Sequence, residues 1–593
     1  MQLVFNRASP RRIAIDQFRL KSVQEAVHKA VRASGVTPTP QQASLSLVRI
    51  DTTNSNSSTS SHATRMFESK PIDTTPGKLF SNMPSTVITP INRASSIEGK
   101  ESLSIMPPFM VSAPGKVIVF GKHAVVHGKV AIAAAISLRT YLHVSFPSKS
   151  NRTITLRFSD IQMEHTWNID DLPWSSFSKS GKKNYYYDLV ASLEPDFVAA
   201  LHPFIEEVSL EAPKSVRKVH HASARSFLYL FLSLASQKVR PCVYTLRSTI
   251  PIGAGLGSSA SISVCISTAL LLQIRALSGP HQDQPLQEYE LNIERINRWS
   301  FVGEMCIHGN PSGVDNTISS GGNAVLFHKK YEDKPPLVIP IHCFPKLPML
   351  LVNTQQSRNT ATEVAKKSIM NAIGEVTESA YKILMSSGFD PNSYASLKYI
   401  DELVTLNHGL LVALGVSHPR LERIREVIDH AGIGWKKLTG ADGGGCAITI
   451  LKSQSLGTTD SHGNGTHHHD TSSDRSDSIA ADLDTSASIM SNNTELNYKV
   501  LGPLEARPQN DRFEMYDTTL AGDGVGVLWA AILHNANEEK SEIIIDQEKF
   551  LKAEGRVGIE SLVGTMSMGQ RDLRDVREGW IFWRRNMVHD VGN

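Results

Sequence analysis

Apolar positions recur with two different periods along this chain, and long stretches between them carry almost none. Residues 243–250 (VYTLRSTI) alternate as a half-buried strand does, and 347–352 and 448–451 read as further strands. Residues 261–273 are small or apolar on nearly every face, which predicts a helix buried all round. The run 227–232 (FLYLFL) predicts another core helix, and 407–424 reads as helical with a break at 415–419 (GVSHP). Pro114 and Gly115 predict a turn from which Lys116 opens an apolar strand. Mixed strands and helices on this scale predict an α+β chain in two domains, about 106–340 and 345–593.

Two regions lack the apolar positions that a core needs. Residues 36–105 are rich in Ser, Thr and Pro, and together with the segment before them form an N-terminal extension, 1–105, expected to be disordered. Residues 453–497 form a low-complexity insertion of Ser, Asp, Thr and Asn, with His467, His468 and His469 inside. That triplet reads as part of a solvated tract rather than a metal site. The first 34 residues hold seven basic side chains against Asp16 and Glu25, and 22–33 could form an amphipathic helix. An organelle transit peptide, a disordered extension and a start assigned too early all fit that pattern. With no secretory apolar core in it, the expected compartment is the cytoplasm.

Composition narrows the function classes. The 593 residues carry a formal net charge of +3, so no polyanion-binding surface and no nucleic-acid partner is expected. Five scattered cysteines without a CxxC pair fit reduced thiols better than a disulfide framework or a zinc site. No apolar run approaches 18 residues, so no membrane span is expected.

The richest chemistry lies at 253–260, Gly-Ala-Gly-Leu-Gly-Ser-Ser-Ala, between the strand at 243–250 and the buried helix. Gly253, Gly255 and Gly257 leave backbone N–H groups unshielded, while Ser258 and Ser259 stand where the helix would begin. Bare amides, a positive helix end and hydroxyls able to reach a metal make an anion cradle suited to ATP phosphates. The loop is not a Walker A loop, because no lysine follows Gly257. Nor is it the dinucleotide fingerprint, since Ser258 stands where that pattern needs glycine. A tight turn without ligand remains the alternative.

Three further motifs flank it. Glu304 and Asp315 stand on either side of the turn Gly309-Asn-Pro-Ser-Gly313, a hairpin able to bring both acids to one pocket. Phosphoryl transfer needs hard oxygen ligands for Mg²⁺ and a base for the attacking hydroxyl, although a solvated Glu and a capping Asp would look the same. Lys116 in Ser112-Ala-Pro-Gly-Lys116 can approach a buried acid or simply face water. The run Lys437-Leu-Thr-Gly-Ala-Asp-Gly-Gly-Gly445 enters a strand, as a bulge or as a close backbone approach to a ligand.

In their order along the chain, from Pro114-Gly-Lys116 through the glycine loop and Gly309–Asn316 to Lys437–Gly445, the four motifs resemble the GHMP kinases, most closely the mevalonate-phosphorylating branch and its fungal members, from about Phe109 to Arg585. The most specific stretch runs from His308 to Asn316. The resemblance implies a ribosomal-S5-like N-terminal domain, a ferredoxin-like C-terminal domain and an active site between them. It further implies transfer of the ATP γ-phosphoryl to the C5 hydroxyl of (R)-mevalonate, with ATP and Mg²⁺ as cofactors and a homodimer as the expected assembly. Asp315 matches the catalytic base and Lys116 the lysine that contacts it. Ser259 and Glu304 match the Mg²⁺ ligands. Gly253, Ala254, Gly255, Leu256, Gly257, Ser258 and Ser259 match the triphosphate loop, Ser248 a further ATP contact, and His123 and Thr360 substrate-side positions.

Two positions depart from the family pattern. Lys122 replaces a glutamate before His123, and Asp442 replaces the first of four glycines. An aspartate facing a phosphate at about 4 Å costs about 4 kcal/mol at an effective dielectric near 20. These departures keep open a kinase-like fold retained for binding or regulation. A GHMP kinase for phosphomevalonate, galactose or homoserine is the other alternative.

Overall fold

Strands β1 (Phe109–Phe120) and β2 (Val130–Ser145) are buried along nearly their whole length on both faces, so each must be covered from two sides. In the computed structural model they pair antiparallel at the centre of the largest sheet. The structure describes residues 106–585 apart from 148–150, 178–191, 282, 329–336, 354–365, 432–433, 440–445, 452–513, 536–541 and 565–576. Residues 1–105, the insertion at 453–497, Thr360 and Asp442 therefore lie outside the described residues.

The remaining strands are β3 (Thr153–Phe158), β4 (Met163–Asn168), β5 (Cys242–Ser248), β6 (Ala324–His328), β7 (Leu337–Ile341), β8 (Pro348–Asn353), β9 (Gly434–Thr439), β10 (Cys446–Leu451), β11 (Glu514–Thr519), β12 (Gly526–Leu528), β13 (Ile532–Asn535), β14 (Glu542–Ile544), β15 (Arg577–Glu578) and β16 (Trp580–Phe582). Among the described residues they form three sheets. The first has the order β16-β12-β1-β2-β5-β3-β4, with β6 also on β2 and β7 on β6; only β3 and β5 pair parallel. The second has the order β11-β8-β10-β9, all antiparallel, and the third β14-β13-β15. The two last strands of the first sheet come from the far end of the chain, past β11, so residues 514–585 divide between sheets.

Helices α1 (Pro195–Glu206), α2 (Lys214–Leu234), α3 (Ser258–Gln273), α4 (Leu286–His308) and α5 (Val314–Gly321) precede α6 (Lys366–Leu384), α7 (Tyr394–Ala413) and α8 (Pro419–Ala431). One core packs Val111 and Leu142 of the central strands against Phe227, Val264 and Trp299 of α2, α3 and α4. A second packs Val117, Phe120 and Ile132 against Leu351 and Ile448 of the second sheet and Ile373 and Leu403 of α6 and α7. The central strands are thus apolar on both faces because two separate cores need them.

The buried helix predicted at 261–273 begins three residues earlier, at Ser258, and is buried nearly all round. Its small residues serve close packing. Ser261 Oγ donates to Ala113 O at 2.7 Å, and a Cβ added to Gly303 of α4 would lie 2.9 Å from Ser263 Oγ. The break expected at 415–419 separates α7 from α8, with Gly415 at φ 79°. One local expectation fails. Pro114 and Gly115 do not form a turn, because β1 runs through them with only a shift of register before Lys116. Gly115 serves instead for close approach, since a Cβ there would lie 2.8 Å from Leu256 O.

The second sheet carries a testable electrostatic liability. Lys436 on β9 is 3 % exposed and its Nζ has no hydrogen-bond partner. Burial pushes its ammonium from 10.5 down to about 7, against the pull of the Glu422 charge. A lowered folded value means the burial cost is fully present below pH 7 and fades as pH rises towards 10.5, where the unfolded lysine is neutral too. Lys436→Met is expected to raise unfolding free energy by about 1–3 kcal/mol at pH 7. The gain should shrink towards zero near pH 10 in paired denaturant melts. An equal gain at both pH values would assign it to packing rather than charge.

Candidate functional site

The glycine loop between β5 and α3 alternates left-handed glycines with buried side chains. Gly253, Gly255 and Gly257 have φ values of 75°, 72° and 76°, while Ala254 and Leu256 between them are buried in the second core. Side chains anchor the loop from below, Gly253 is exposed and Gly255 half-buried, and Gly257 is buried against Lys116. Gly257 is the N-cap of α3 and no side chain caps that end, so the first-turn N–H groups of a sixteen-residue helix stay available to an anion. The loop is stitched to β1 where Lys116 N donates to Leu256 O at 2.8 Å.

Lys116 projects from that stitch. Its Nζ lies 3.2 Å from Asp315 Oδ2 and donates to Gly255 O at 3.3 Å. Asp315 stands in the first turn of α5, whose N-cap Gly313 has φ 79°. Thr317 Oγ1 donates to Gly313 O at 2.7 Å, and Asn316 Nδ2 donates to Asn297 of α4. Ser319 Oγ donates to Pro114 O at 2.8 Å, binding α5 to β1 two residues before Lys116. Backbone bonds from Asn323 N to Gly522 O and from Val525 N to Ser320 O brace the other end of α5 with the C-terminal segment. Arg139, buried, holds that segment by donating to Asp523 O and Gly524 O.

Glu304 stands on α4 one turn before its end. Its neighbour Gly303 packs on Ser263 and accepts a hydrogen bond from Ser226 Oγ, which fixes α4 against α3 and α2. Glu304 is 4 % exposed, and its Oε1 has no hydrogen-bond partner. Burial pushes its carboxyl up to about 7; the Ser259 hydroxyl pulls it down, the Asp315 charge pushes it up and Lys116 pulls it down. Ser259 Oγ lies 2.9 Å from His308 Nε2, which in turn is 4.0 Å from Glu304 Oε1. Lys116, Asp315, Glu304 and Ser259 therefore converge around the mouth of the glycine loop. An orphaned carboxylate oxygen beside a serine hydroxyl is a donor set that fits a small hard cation such as Mg²⁺.

Other expected residues are placed less directly. Ser248, the last residue of β5, bonds Thr140 Oγ1 at 3.1 Å and accepts from Ile250 N, while its own N–H goes to Asp160 Oδ2. His123 sits at φ 65° in the turn after β1, partly exposed. Lys122 is buried beside Lys437, whose ammonium burial pushes down to about 7 with the Lys122 charge adding to the effect. Lys437 also faces the Phe120 ring at 5.9 Å. The family glutamate's position is thus occupied by one of two neighbouring lysines. The sequence gives His308 no role beyond opening a motif, although its spacing of four from Glu304 on a helix is the signal that puts both on one face.

Known proteins give these residues their context. The pattern for the GHMP kinases N terminal domain matches residues 224–322 and that for the GHMP kinases C terminal domain matches 394–458. A mevalonate kinase of Gibberella zeae is 52 % identical over 83 % of this chain and 91 % of its own. A mevalonate kinase of Aspergillus fumigatus is 50 % identical over 86 % of this chain and 89 % of its own. A solved mevalonate kinase of Methanococcus jannaschii aligns with 70 % of this chain and 98 % of its own at 19 % identity and a TM-score of 0.43. With half of the aligned residues identical along almost the full length of two such relatives, the chain belongs to the GHMP kinase family, in its mevalonate kinase branch.

Proposed function

We propose that the chain transfers the γ-phosphoryl of ATP to the C5 hydroxyl of (R)-mevalonate, giving ADP and 5-phosphomevalonate. The observation that carries this reading is the convergence of Lys116 on Asp315, at 3.2 Å, against a glycine loop whose helix end is left uncapped. Asp315 accepts the hydroxyl proton as the substrate oxygen attacks phosphorus, and the bond to the ADP oxygen breaks. Lys116 orients Asp315 and polarises the hydroxyl. The loop amides of 253–259 and the α3 N-terminus hold the phosphates, where fixed dipoles stabilise developing charge without reorganising. Ser259 and Glu304 would hold Mg²⁺, which when bound neutralises phosphate charge. Ser248 is assigned to nucleotide contact, and His123 and Thr360 to the mevalonate side.

Residues 106–340 form the N-terminal kinase domain and 345–593 the C-terminal one in this reading, with β12 and β16 returning to the first sheet. A homodimer in the cytoplasm is the assembly proposed on family grounds. No helix of the described residues is long and apolar enough to cross a membrane.

The test is ADP release by the purified chain with Mg-ATP and each of mevalonate, phosphomevalonate, galactose and homoserine. Mevalonate is expected to be the acceptor that drives turnover. Turnover no faster with mevalonate than with ATP alone would sink the reading in favour of a binding protein. In that event Lys122→Glu is the first variant to try, because it removes one of two adjacent buried cations.

A further inference from the structure

We infer that His308 is a positioning residue that sets the direction of the Ser259 hydroxyl and thereby the affinity of the Ser259–Glu304 pocket for a divalent cation. The inference rests on the reading of those two residues as the cation ligands. It comes from three placements. His308 is the last residue of α4, one turn beyond Glu304, and its side chain is 54 % exposed, so it is not held there by core packing. Its Nε2 lies 2.9 Å from Ser259 Oγ and 4.0 Å from Glu304 Oε1. Glu304 Oε1 is buried without a hydrogen-bond partner, so the imidazole's close contact is spent on the serine.

A serine hydroxyl has one proton and two lone pairs. Only the lone pairs can bind a cation, and a proton turned towards the cation would oppose binding. In the tautomer whose Nε2 carries no proton, the ring competes with Glu304 for the single Ser259 proton, and when the ring takes it the lone pairs turn towards the side where Glu304 stands. His308 then touches neither the cation nor the reacting atoms. It removes the rotational freedom of the hydroxyl and the wrong orientation along with it. Partners of this kind, which orient a ligand from behind, typically change metal affinity by about 10–100-fold when removed.

The experiment measures affinity for the non-hydrolysable analogue AMPPNP with and without Mn²⁺, in the full chain, so that the metal-dependent gain is isolated from nucleotide binding itself. His308→Ala is expected to cut that gain about tenfold while leaving metal-free AMPPNP affinity and the melting temperature unchanged. His308→Gln, whose amide oxygen can accept the Ser259 proton, should recover most of it. In a Ser259→Ala background, His308→Ala should cost nothing more, since there is no hydroxyl left to orient. A gain unchanged in His308→Ala but lost in Glu304→Gln overturns the role of His308 and leaves the cation site standing. A gain unchanged in both overturns the cation site as well. Loss from His308→Ala that persists in the Ser259→Ala background would also overturn the inference, by showing that the imidazole acts without the hydroxyl.

Discussion

Asp315→Asn is expected to lower kcat about 10²–10⁴-fold, the usual contribution of a positioned base. By transition-state arithmetic that is roughly 3–5.5 kcal/mol. Asn keeps the size and shape of Asp, so the loss would report the missing proton acceptor rather than a disturbed fold. Lys116 retains its second partner, Gly255 O at 3.3 Å, and stays in the site. The Asp315 side chain is 29 % exposed, and the melting temperature should hardly move. The measurement is single-turnover formation of 5-phosphomevalonate, which separates chemistry from product release. A rate within about threefold of wild type would remove Asp315 from the role of base and leave it a structural partner of Lys116.

Gly257→Ala should be the second severe change, with a fall in kcat on the order of 10²-fold, because misplacing a reacting group by about 1 Å costs that much. A Cβ at Gly257 would lie 2.9 Å from Lys116 Cγ and 3.5 Å from its Cε, so the lysine must swing away from Asp315. The backbone adds strain, since φ is 76° and an L side chain in the left-handed region costs roughly 1–2 kcal/mol. Gly253→Ala supplies the control. It has nearly the same φ, 75°, but nothing within 4 Å of the added carbon, so it carries the strain without the clash. Gly253→Ala should therefore weaken ATP affinity with little effect on kcat, whereas Gly257→Ala strikes kcat. Equal losses of kcat would show that loop strain, not the Lys116 contact, controls the chemistry.

Much of the site was legible before any tertiary structure because its signals are local. Alternating glycines, two serines and a run of small apolar residues specify a loop and a buried helix within some twenty consecutive positions, and 253–273 folds accordingly, with the helix start off by three residues. The break in 407–424 was legible for the same reason, since Gly415 and Pro419 act on their immediate neighbours. Lys116 was much harder to read. In the sequence it is a lysine after Pro-Gly, which points to the start of a strand. In the structure it lies inside β1, with the glycine loop crossing over it at Gly115 and Gly257. His308 stands in the sequence only as the start of a motif, because its partner, Ser259, lies on another helix.

By itself the sequence determined the family, the α+β class and the glycine loop with the buried helix behind it, since each of these is written in short runs whose backbone preferences are set by adjacent residues. Only the tertiary structure decided which charges meet. Lys116 reaches Asp315 because Ser319 ties α5 to β1, and Glu304 faces Ser259 because Gly303 lets α4 close on α3. The far C-terminal strands complete the first sheet, and Arg139 secures the segment that braces α5. Such meetings depend on the burial of large apolar surfaces between elements distant along the chain, and no local pattern encodes the register in which those surfaces close.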